Sequence, residues 1–174
     1  MKQLLFFLLL LVFAWLSFNR PVYEISTLYR SFNDFENVIG WSKGNNINTI
    51  SDEKSYSKRY SCKMDSNKKY SYIYQIEARR LPPQQIFKVN VSAYLFAETE
   101  SNNVSIIFQS NHGINSPHIW LAEKIHCPPN KWTLIEKEFL LNKKFSSDEN
   151  IAIYFWNETG KETLYIDNME IKYY

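Results

Sequence analysis

The strongest constraint on the fold is the alternation of residues 163–174, Thr-Leu-Tyr-Ile-Asp-Asn-Met-Glu-Ile-Lys-Tyr-Tyr. Successive side chains of a β-strand point to opposite faces. The alternation therefore predicts a strand with five residues on one face: Tyr165, Asp167, Met169, Ile171 and Tyr173. A carboxylate on an apolar face is costly unless another group pairs with it or coordinates it. Asp167 therefore needs a partner from elsewhere in the chain.

The sequence offers such a partner near its other end, in the segment Asn-Asp-Phe-Glu-Asn at residues 33–37. Glu36 lies in this segment. A fold that places the first and last strands side by side would bring Glu36 and Asp167 together. We therefore expect these two strands to be neighbours in one sheet.

Period-two alternation recurs from residue 55 onward, in runs rich in β-branched and aromatic residues. It predicts seven strands, over residues 70–77, 87–96, 104–109, 118–123, 132–140, 151–156 and 164–173. Only residues 22–32 show helical spacing, and we interpret them as a juxtamembrane segment or linker. Short strands without helical intervals predict an all-β fold, an antiparallel β-sandwich or barrel.

The N-terminal segment differs from the rest of the chain, because residues 4–16 are an unbroken apolar run. The run is short for a membrane span and fits the core of a signal peptide, but no small-x-small cleavage site follows it. We predict a signal peptide or, slightly favoured, an uncleaved membrane anchor over residues 1–20. A linker over 21–30 and one β-sandwich domain over 31–174 follow. Either alternative places the domain outside the cytoplasm, with membrane contact through the N-terminal segment.

The overall charge indicates no particular partner, and we expect no nucleic acid because the domain is predicted to lie outside the cytoplasm. The formal net charge of +2 disappears once Lys2 and Arg20 are set aside with the N-terminal segment. Basic residues accumulate over residues 51–80, where a face for anionic glycans or lipid headgroups is the alternative to an ordinary solvated surface. We favour the solvated surface, because charge runs are common there.

The chain has two cysteines, Cys62 and Cys127. Outside the cytoplasm they could form a disulfide that closes a long loop. Two unconnected small core residues are the alternative. Spacing alone does not decide between these two interpretations.

Several short segments follow one another in a characteristic order and spacing: Asn33-Asp34-Phe35-Glu36, Gly40-Trp41, Pro82-Pro83 before Val91-Ser92-Ala93-Tyr94, Lys131-Trp132-Thr133, Ile153-Tyr154-Phe155 and Leu164-Tyr165-Ile166-Asp167-Asn168. Over about residues 30–174 this arrangement resembles carbohydrate-binding modules of the galactose-binding-like jelly-roll type. The resemblance implies a non-catalytic jelly roll that binds a glycan or polysaccharide. It also implies a structural calcium at Glu36 and Asp167. Backbone carbonyls and loop residues would have to complete the 6–8 oxygen ligands that calcium takes.

Glycan binding requires exposed aromatic faces with hydrogen-bonding groups beside them. Strand alternation turns residues 151, 153 and 155 inward, and so turns Tyr154 and Trp156 outward. In the same way it turns Tyr94 outward, since the alternate residues of that strand turn inward: Phe87, Val89, Val91, Ala93 and Leu95. The predicted carbohydrate-binding residues are Tyr94, Gln109, Trp120, Tyr154 and Trp156, each with a packing role as the alternative. We assign Trp41 and Trp132 to packing.

The motifs that accompany catalysis are missing from the sequence. It has no nucleophile elbow, no zinc-protease helix and no phosphate-binding glycine loop. His112, His118 and His126 do not match a compact zinc pattern. We therefore predict that the chain is not an enzyme. Two alternatives stay open beside the glycan-binding module: a structural or assembly protein of the cell envelope, and a small hydrolase.

Overall fold

The computed structural model describes residues 26–37, 41, 46–111 and 119–174. In these ranges the regular structure is ten β-strands and two short 3-10 turns, at Ile47–Thr49 and Ala78–Arg80. The strands are β1 (Tyr29–Asn33), β2 (Ile50–Ser51), β3 (Ser61–Met64), β4 (Tyr74–Glu77), β5 (Ile86–Ala97), β6 (Ser101–Asn111), β7 (Ile119–Cys127), β8 (Thr133–Lys143), β9 (Asn150–Asn157) and β10 (Leu164–Tyr173). The all-β prediction is confirmed.

The strands form two antiparallel sheets. The six-stranded sheet has the order β2-β3-β10-β5-β8, and β1 also pairs with β10. Strand β5 pairs along one edge of β10. The other edge of β10 pairs with β3 at residues 164–166 and with β1 at residues 169–173. The four-stranded sheet has the order β4-β9-β6-β7. The two sheets pack as a sandwich around one apolar core.

The inner faces of the sheets follow the alternation of the sequence. Val89, Val91, Ala93 and Leu95 of β5 are fully buried, as are residues 151, 153 and 155 of β9. Phe87 departs from the prediction, because it is 51% exposed while Ile86 is buried. The pairing of β5 with β8 shifts register at that end of the strand, and the shift turns Phe87 outward.

The first and last described strands are neighbours, as expected. Tyr29 pairs with Tyr173 and Asn33 with Met169. The helical interpretation of residues 22–32 is therefore wrong from Tyr29 onward, because pairing with β10 outweighs local spacing. Residues 1–25, which include the predicted signal or anchor, lie outside the described residues. Within the described ranges, no helix has the length and hydrophobicity needed to span a bilayer.

A bulge in β10 changes which residues share a face. The register with β5 shifts between Asp167 and Glu170, and Asn168 has a left-handed φ of 49°. Core-facing positions are therefore Leu164 and Ile166 before the bulge, and 169, 171 and 173 after it. The prediction of a single face is wrong, since Tyr165 and Asp167 point out of the sandwich. Asp167 is nevertheless fully buried, and residues of the β2–β3 loop donate hydrogen bonds to it.

The cysteines are free thiols, so the disulfide alternative is not realised. Cys62 lies in β3 of the six-stranded sheet, and Cys127 ends β7 in the four-stranded sheet. The Cys62 sulfur accepts the backbone N–H of Tyr72 at 3.1 Å. Burial raises the pKa of both thiols to about 11. Both residues therefore serve as small core residues.

Trp41 and Trp132 both pack, in different places. Trp41 is buried, with its ring edge-to-face on Tyr74 at 5.2 Å, and its indole N–H donates to Ser31 Oγ at 2.9 Å. Trp132 lies against Phe96, 5.6 Å between ring centroids, on the outer side of the six-stranded sheet. The packing role that we predicted for Trp41 is confirmed in the core.

Candidate functional site

Four of the five predicted binding residues meet on the outer face of the four-stranded sheet. Trp120 of β7 pairs in register with Gln109 of β6. Tyr154 and Trp156 of β9 pair with Ile107 and Ser105 of β6. Three adjacent strands therefore present these side chains on one surface.

Tyr70 completes this surface, because it forms an isolated bridge with Trp156. Its ring lies nearly parallel to that of Trp156, at 13° and 6.4 Å between centroids, and 5.8 Å from Tyr154. Trp120 lies 6.4 Å from Trp156 on the other side. Tyr70 and Trp120 are 47% and 46% exposed, so their rings are open to a ligand. We call Tyr70, Gln109, Trp120, Tyr154 and Trp156 the four-strand platform.

Polar groups stand among these rings. The Tyr154 hydroxyl donates to Gln109 Oε1 at 3.1 Å, which leaves the amide NH₂ of Gln109 to serve as a donor. Burial raises the pKa of Tyr154, so its hydroxyl stays protonated at neutral pH. Ile107 is fully buried on the same face and gives the rings an apolar base. Flat apolar faces beside amide and hydroxyl groups suit a sugar ring, which has apolar faces and polar edges.

Tyr94 does not belong to the platform, and this part of the prediction is wrong. Its strand, β5, lies in the six-stranded sheet, so its side chain faces the opposite surface of the molecule. The Tyr94 ring stacks on Tyr56 at 3.7 Å and 10°. Alternation predicted correctly that Tyr94 points outward, but it carries no information on which sheet a strand joins.

Sequence reasoning missed Tyr70. It was included in the predicted strand over residues 70–77, where it shares a face with Tyr72 and Tyr74, but these two are buried whereas Tyr70 is 47% exposed. Strand β4 begins at Tyr74, and residues before it do not keep strand geometry. The polar turn at residues 65–69 could have revealed this exposure, because a residue that directly follows a turn lies at the end of a strand and not in its interior.

On the six-stranded side, a clamped loop of residues 56–60 lies beside Glu36 and Asp167. Asp167 Oδ2 accepts the backbone N–H groups of Tyr56 and Ser57, both at 2.8 Å. Glu36 Oε1 accepts those of Arg59 at 2.9 Å and Tyr60 at 2.6 Å. Both carboxylates therefore hold the clamped loop by accepting its backbone N–H groups. This agrees with the expectation that Glu36 and Asp167 lie in the same region of the fold.

Lys58, at the centre of the clamped loop, has a left-handed φ of 52° and adds an ion pair. Its ammonium lies 2.5 Å from Asp34 Oδ2. Asp34 raises the pKa of Lys58, with smaller contributions from Glu36 and Asp167. Conversely, the hydrogen bond from Lys58 lowers the pKa of Asp34. Burial raises the pKa of Asp167, and the backbone N–H groups that it accepts oppose this rise.

The residues as placed do not fit a calcium shell. Glu36 and Asp167 each use an oxygen to accept amide N–H groups, and these donors cannot coordinate a cation. The Lys58 ammonium already supplies positive charge beside them. In the described ranges, no three His, Cys, Asp or Glu side chains are placed to share a metal ion. Calcium at Glu36 and Asp167 stays a prediction of the resemblance.

The histidines add no metal site in the part of the chain that the structure describes. His126 is exposed, and its Nδ1 lies 2.7 Å from Asn102 Oδ1. His112 and His118 lie outside the described residues. The zinc alternative therefore gains no support from His126.

The basic stretch at residues 51–80 is largely paired. Five of its cations lie within salt-bridge distance of carboxylates: Lys54 of Glu98, Lys58 of Asp34, Arg59 of Asp52, Lys63 of Glu53 and Arg79 of Glu77. Exposed pairs such as these contribute little to stability. They do neutralise most of the stretch, which agrees with an ordinary solvated surface over most of its length.

Comparison with solved structures identifies the fold. The chain is similar to the CBM22-2 xylan-binding domain of Paenibacillus barcinonensis Xyn10C, with 15% identity and a TM-score of 0.54 over 84% of this chain and 99% of that one. It is also similar to the C-terminal family 22 module of Clostridium thermocellum Xyn10B, with 16% identity and a TM-score of 0.54 over 85% and 96% of the two chains. A family 16 module matches with 14% identity and a TM-score of 0.50, over 77% and 91%.

No protein-family model and no curated protein matches the sequence. At such low identity the structural matches establish the fold alone. They confirm the resemblance to carbohydrate-binding modules at that level: this chain has the antiparallel sandwich of these modules over nearly their whole length.

Proposed function

We propose that this chain is a non-catalytic carbohydrate-binding module that binds a glycan or polysaccharide on the four-strand platform. The main support is a row of neighbouring rings, Tyr70, Trp156 and Trp120, whose two end rings are exposed to solvent. The Gln109 amide lies on the same surface. Sugar rings would stack on these faces, while Gln109 donates to their hydroxyl groups.

The structural neighbours support this proposal by analogy. Two of the proteins above are described as a xylan-binding domain and as a module with a ligand-binding cleft. Fold does not by itself fix function, so the platform has to carry the argument. A binding surface needs no nucleophile or acid–base pair, and the role that we propose for each platform residue is contact with the ligand.

Affinity electrophoresis against a panel of soluble polysaccharides, with xylan included, tests the proposal. We expect retardation by at least one polysaccharide, and its loss in Trp120→Ala and Trp156→Ala. Both variants should keep the wild-type melting temperature, because the two rings are outside the core. Binding that survives both substitutions, or no retardation by any polysaccharide, would refute the platform.

The proposal extends to the architecture and location of the chain. We propose a jelly roll of the galactose-binding-like type, displayed outside the cytoplasm and secreted or held at the membrane by residues 1–20. The apolar run at residues 4–16 supports this placement. Fractionation of cells that express the full chain, followed by protease treatment of intact cells, would test it. Protection of the domain in intact cells together with recovery in the cytosol would refute it.

A structural or assembly role in the cell envelope is the second candidate. The observation in its favour is a set of exposed apolar side chains on the six-stranded sheet: Phe32, Phe87, Leu134 and Leu140, from 50% to 78% exposed. A protein partner would cover them. Leu134→Gln with Leu140→Gln should abolish such an interaction and leave polysaccharide binding unchanged.

A further inference from the structure

Two lysines of the basic stretch differ from their paired neighbours. Lys68 and Lys69 have no carboxylate within salt-bridge distance among the described residues. The Lys68 ammonium donates to the backbone carbonyl of Asn48. A carbonyl does not neutralise its charge, so both cations keep an electrostatic preference for an anion.

These lysines line a cavity of about 110 Å³, together with Tyr70 and three asparagines, Asn46, Asn48 and Asn67. Asn46 is fixed there by a left-handed φ of 65° and by the hydrogen bond from its Nδ2 to the Ser71 carbonyl at 3.1 Å. Thr49 completes the lining, which contains amide, hydroxyl and ammonium groups and, among the described residues, no carboxylate. This combination suits a small anionic group that also accepts hydrogen bonds.

Nearby carboxylates are engaged elsewhere. Asp65 Oδ1 accepts the backbone N–H groups of Asn67 at 2.8 Å and Lys68 at 3.1 Å, within its own turn. Glu162 accepts hydrogen bonds from Asn103 and Thr159. Neither of these carboxylates lines the cavity, so the lining itself carries the two positive charges of Lys68 and Lys69.

The cavity is continuous with the four-strand platform through Tyr70, whose ring lies beside Trp156. Its volume is well below the range of about 300–1,000 Å³ that encloses a whole small-molecule ligand. It fits a substituent that projects from a ligand held by the rings. A sugar stacked on Tyr70 would bring its side groups to the lysines.

We propose, building on the glycan binding above, that the Tyr70 end of the platform selects polysaccharides that carry anionic sugars. Lys68 and Lys69 pair with the carboxylate of a uronic acid residue or with a sulfate ester, and the asparagine amides hydrogen-bond to the same residue. The rings supply affinity for the sugar backbone, and the two lysines supply the preference for charge.

The test compares matched polysaccharides that differ only in charge. Glucuronoxylan and polygalacturonate are each compared with their carboxyl-reduced forms, and dextran sulfate with dextran, by titration calorimetry at low and high salt. We expect the charged form to bind about five- to tenfold more tightly at low salt, with the ratio shrinking as salt is added. The pair that shows the preference distinguishes carboxylate from sulfate.

The Lys68→Gln, Lys69→Gln double variant should bind charged and neutral forms alike, with the affinity for the neutral form unchanged. The Lys131→Gln, Lys144→Gln double variant removes the same net charge elsewhere and should keep the preference. Trp156→Ala should weaken the binding of both forms.

Three outcomes would overturn the proposal. Equal affinity of the wild type for charged and neutral forms refutes the charge selection and leaves glycan binding intact. A preference that survives in the Lys68→Gln, Lys69→Gln variant places the selection elsewhere. Absence of binding to every polysaccharide refutes both the selection and the proposed function.

Discussion

The outer faces of the two sheets are both rich in aromatic residues, yet they are used differently. On the four-stranded sheet, Tyr70 and Trp120 stand open to solvent. On the six-stranded sheet, Tyr94 lies beneath Tyr56, whose loop is held by Glu36 and Asp167. Aromatic content therefore does not identify a binding face. The difference is that an anchored loop covers Tyr94 on the six-stranded side, although Tyr56, which this loop carries, is itself 44% exposed.

The largest expected effect concerns this anchor. Asp167→Ala leaves the N–H groups of Tyr56, Ser57 and Asn168 without their acceptor, and we expect a loss of about 3 kcal/mol in the free energy of unfolding. Urea denaturation measures this loss. Asp167→Asn, which keeps an acceptor oxygen, should lose less, and Asp52→Ala in the exposed part of the same β2–β3 loop should be nearly neutral. A loss for Asp167→Ala as small as that for Asp52→Ala would show that the loop is not anchored there.

The next effect separates the two aromatic faces. Trp156→Ala should weaken binding of the best polysaccharide by about 1.4 kcal/mol, or tenfold, because a stacking ring is removed. Trp132→Ala on the six-stranded side is the matched control, and its affinity should equal that of the wild type. Titration calorimetry measures both. If Trp132→Ala lost more affinity than Trp156→Ala, the assignment of the two faces would be reversed.

Removal of calcium by a chelator tests whether Glu36 and Asp167 hold a metal ion or only the clamped loop. The resemblance predicts that removal of calcium lowers the melting temperature. The geometry predicts no shift, since Glu36 and Asp167 accept amide N–H groups and Lys58 faces them. We expect the melting temperature to stay the same with a chelator and with added calcium. A fall that calcium reverses would establish a metal site and would require the clamped loop to rearrange.

A small effect is expected from pH. The Lys58 ammonium lowers the pKa of Asp34, so this carboxylate stabilises the folded state above its unfolded pKa, and the contribution is lost as pH falls through the folded pKa. Lys58→Met should therefore lower stability at neutral pH and reduce the difference between neutral and strongly acidic conditions. Thermal melts from pH 7 to pH 2 measure this difference. An unchanged acid sensitivity in Lys58→Met would exclude the ion pair as its source.

Much of the fold could be predicted from alternation, because strand faces follow a period of two. Strand β10 matches its predicted bounds, and Tyr154 and Trp156 face outward as expected. The failures arise where the period is interrupted. Because of the bulge at Asn168, Tyr165 and Asp167 lie on the face opposite to that of Met169. No local residue pattern reveals such a shift.

The candidate site was predicted only in part, because alternation gives the direction of a side chain but not the sheet that its strand joins. Gln109 and Trp120 meet because β6 and β7 are neighbours, and both were chosen from the sequence. Tyr94 was placed with them because alternation gives a direction but not a sheet. Tyr70 was missed because its position depends on a bridge to Trp156, a long-range contact that local periodicity does not contain.

The pairing of β10 has a consequence for how quickly the chain folds. Its partners β1, β3 and β5 are all distant in sequence, and Tyr29 meets Tyr173 across most of the chain. No local hairpin can nucleate this part of the sheet, and loops of many residues must close before their contacts form. We expect refolding from denaturant to be slow, on the order of milliseconds to seconds, with the clamped loop among the last parts to become ordered.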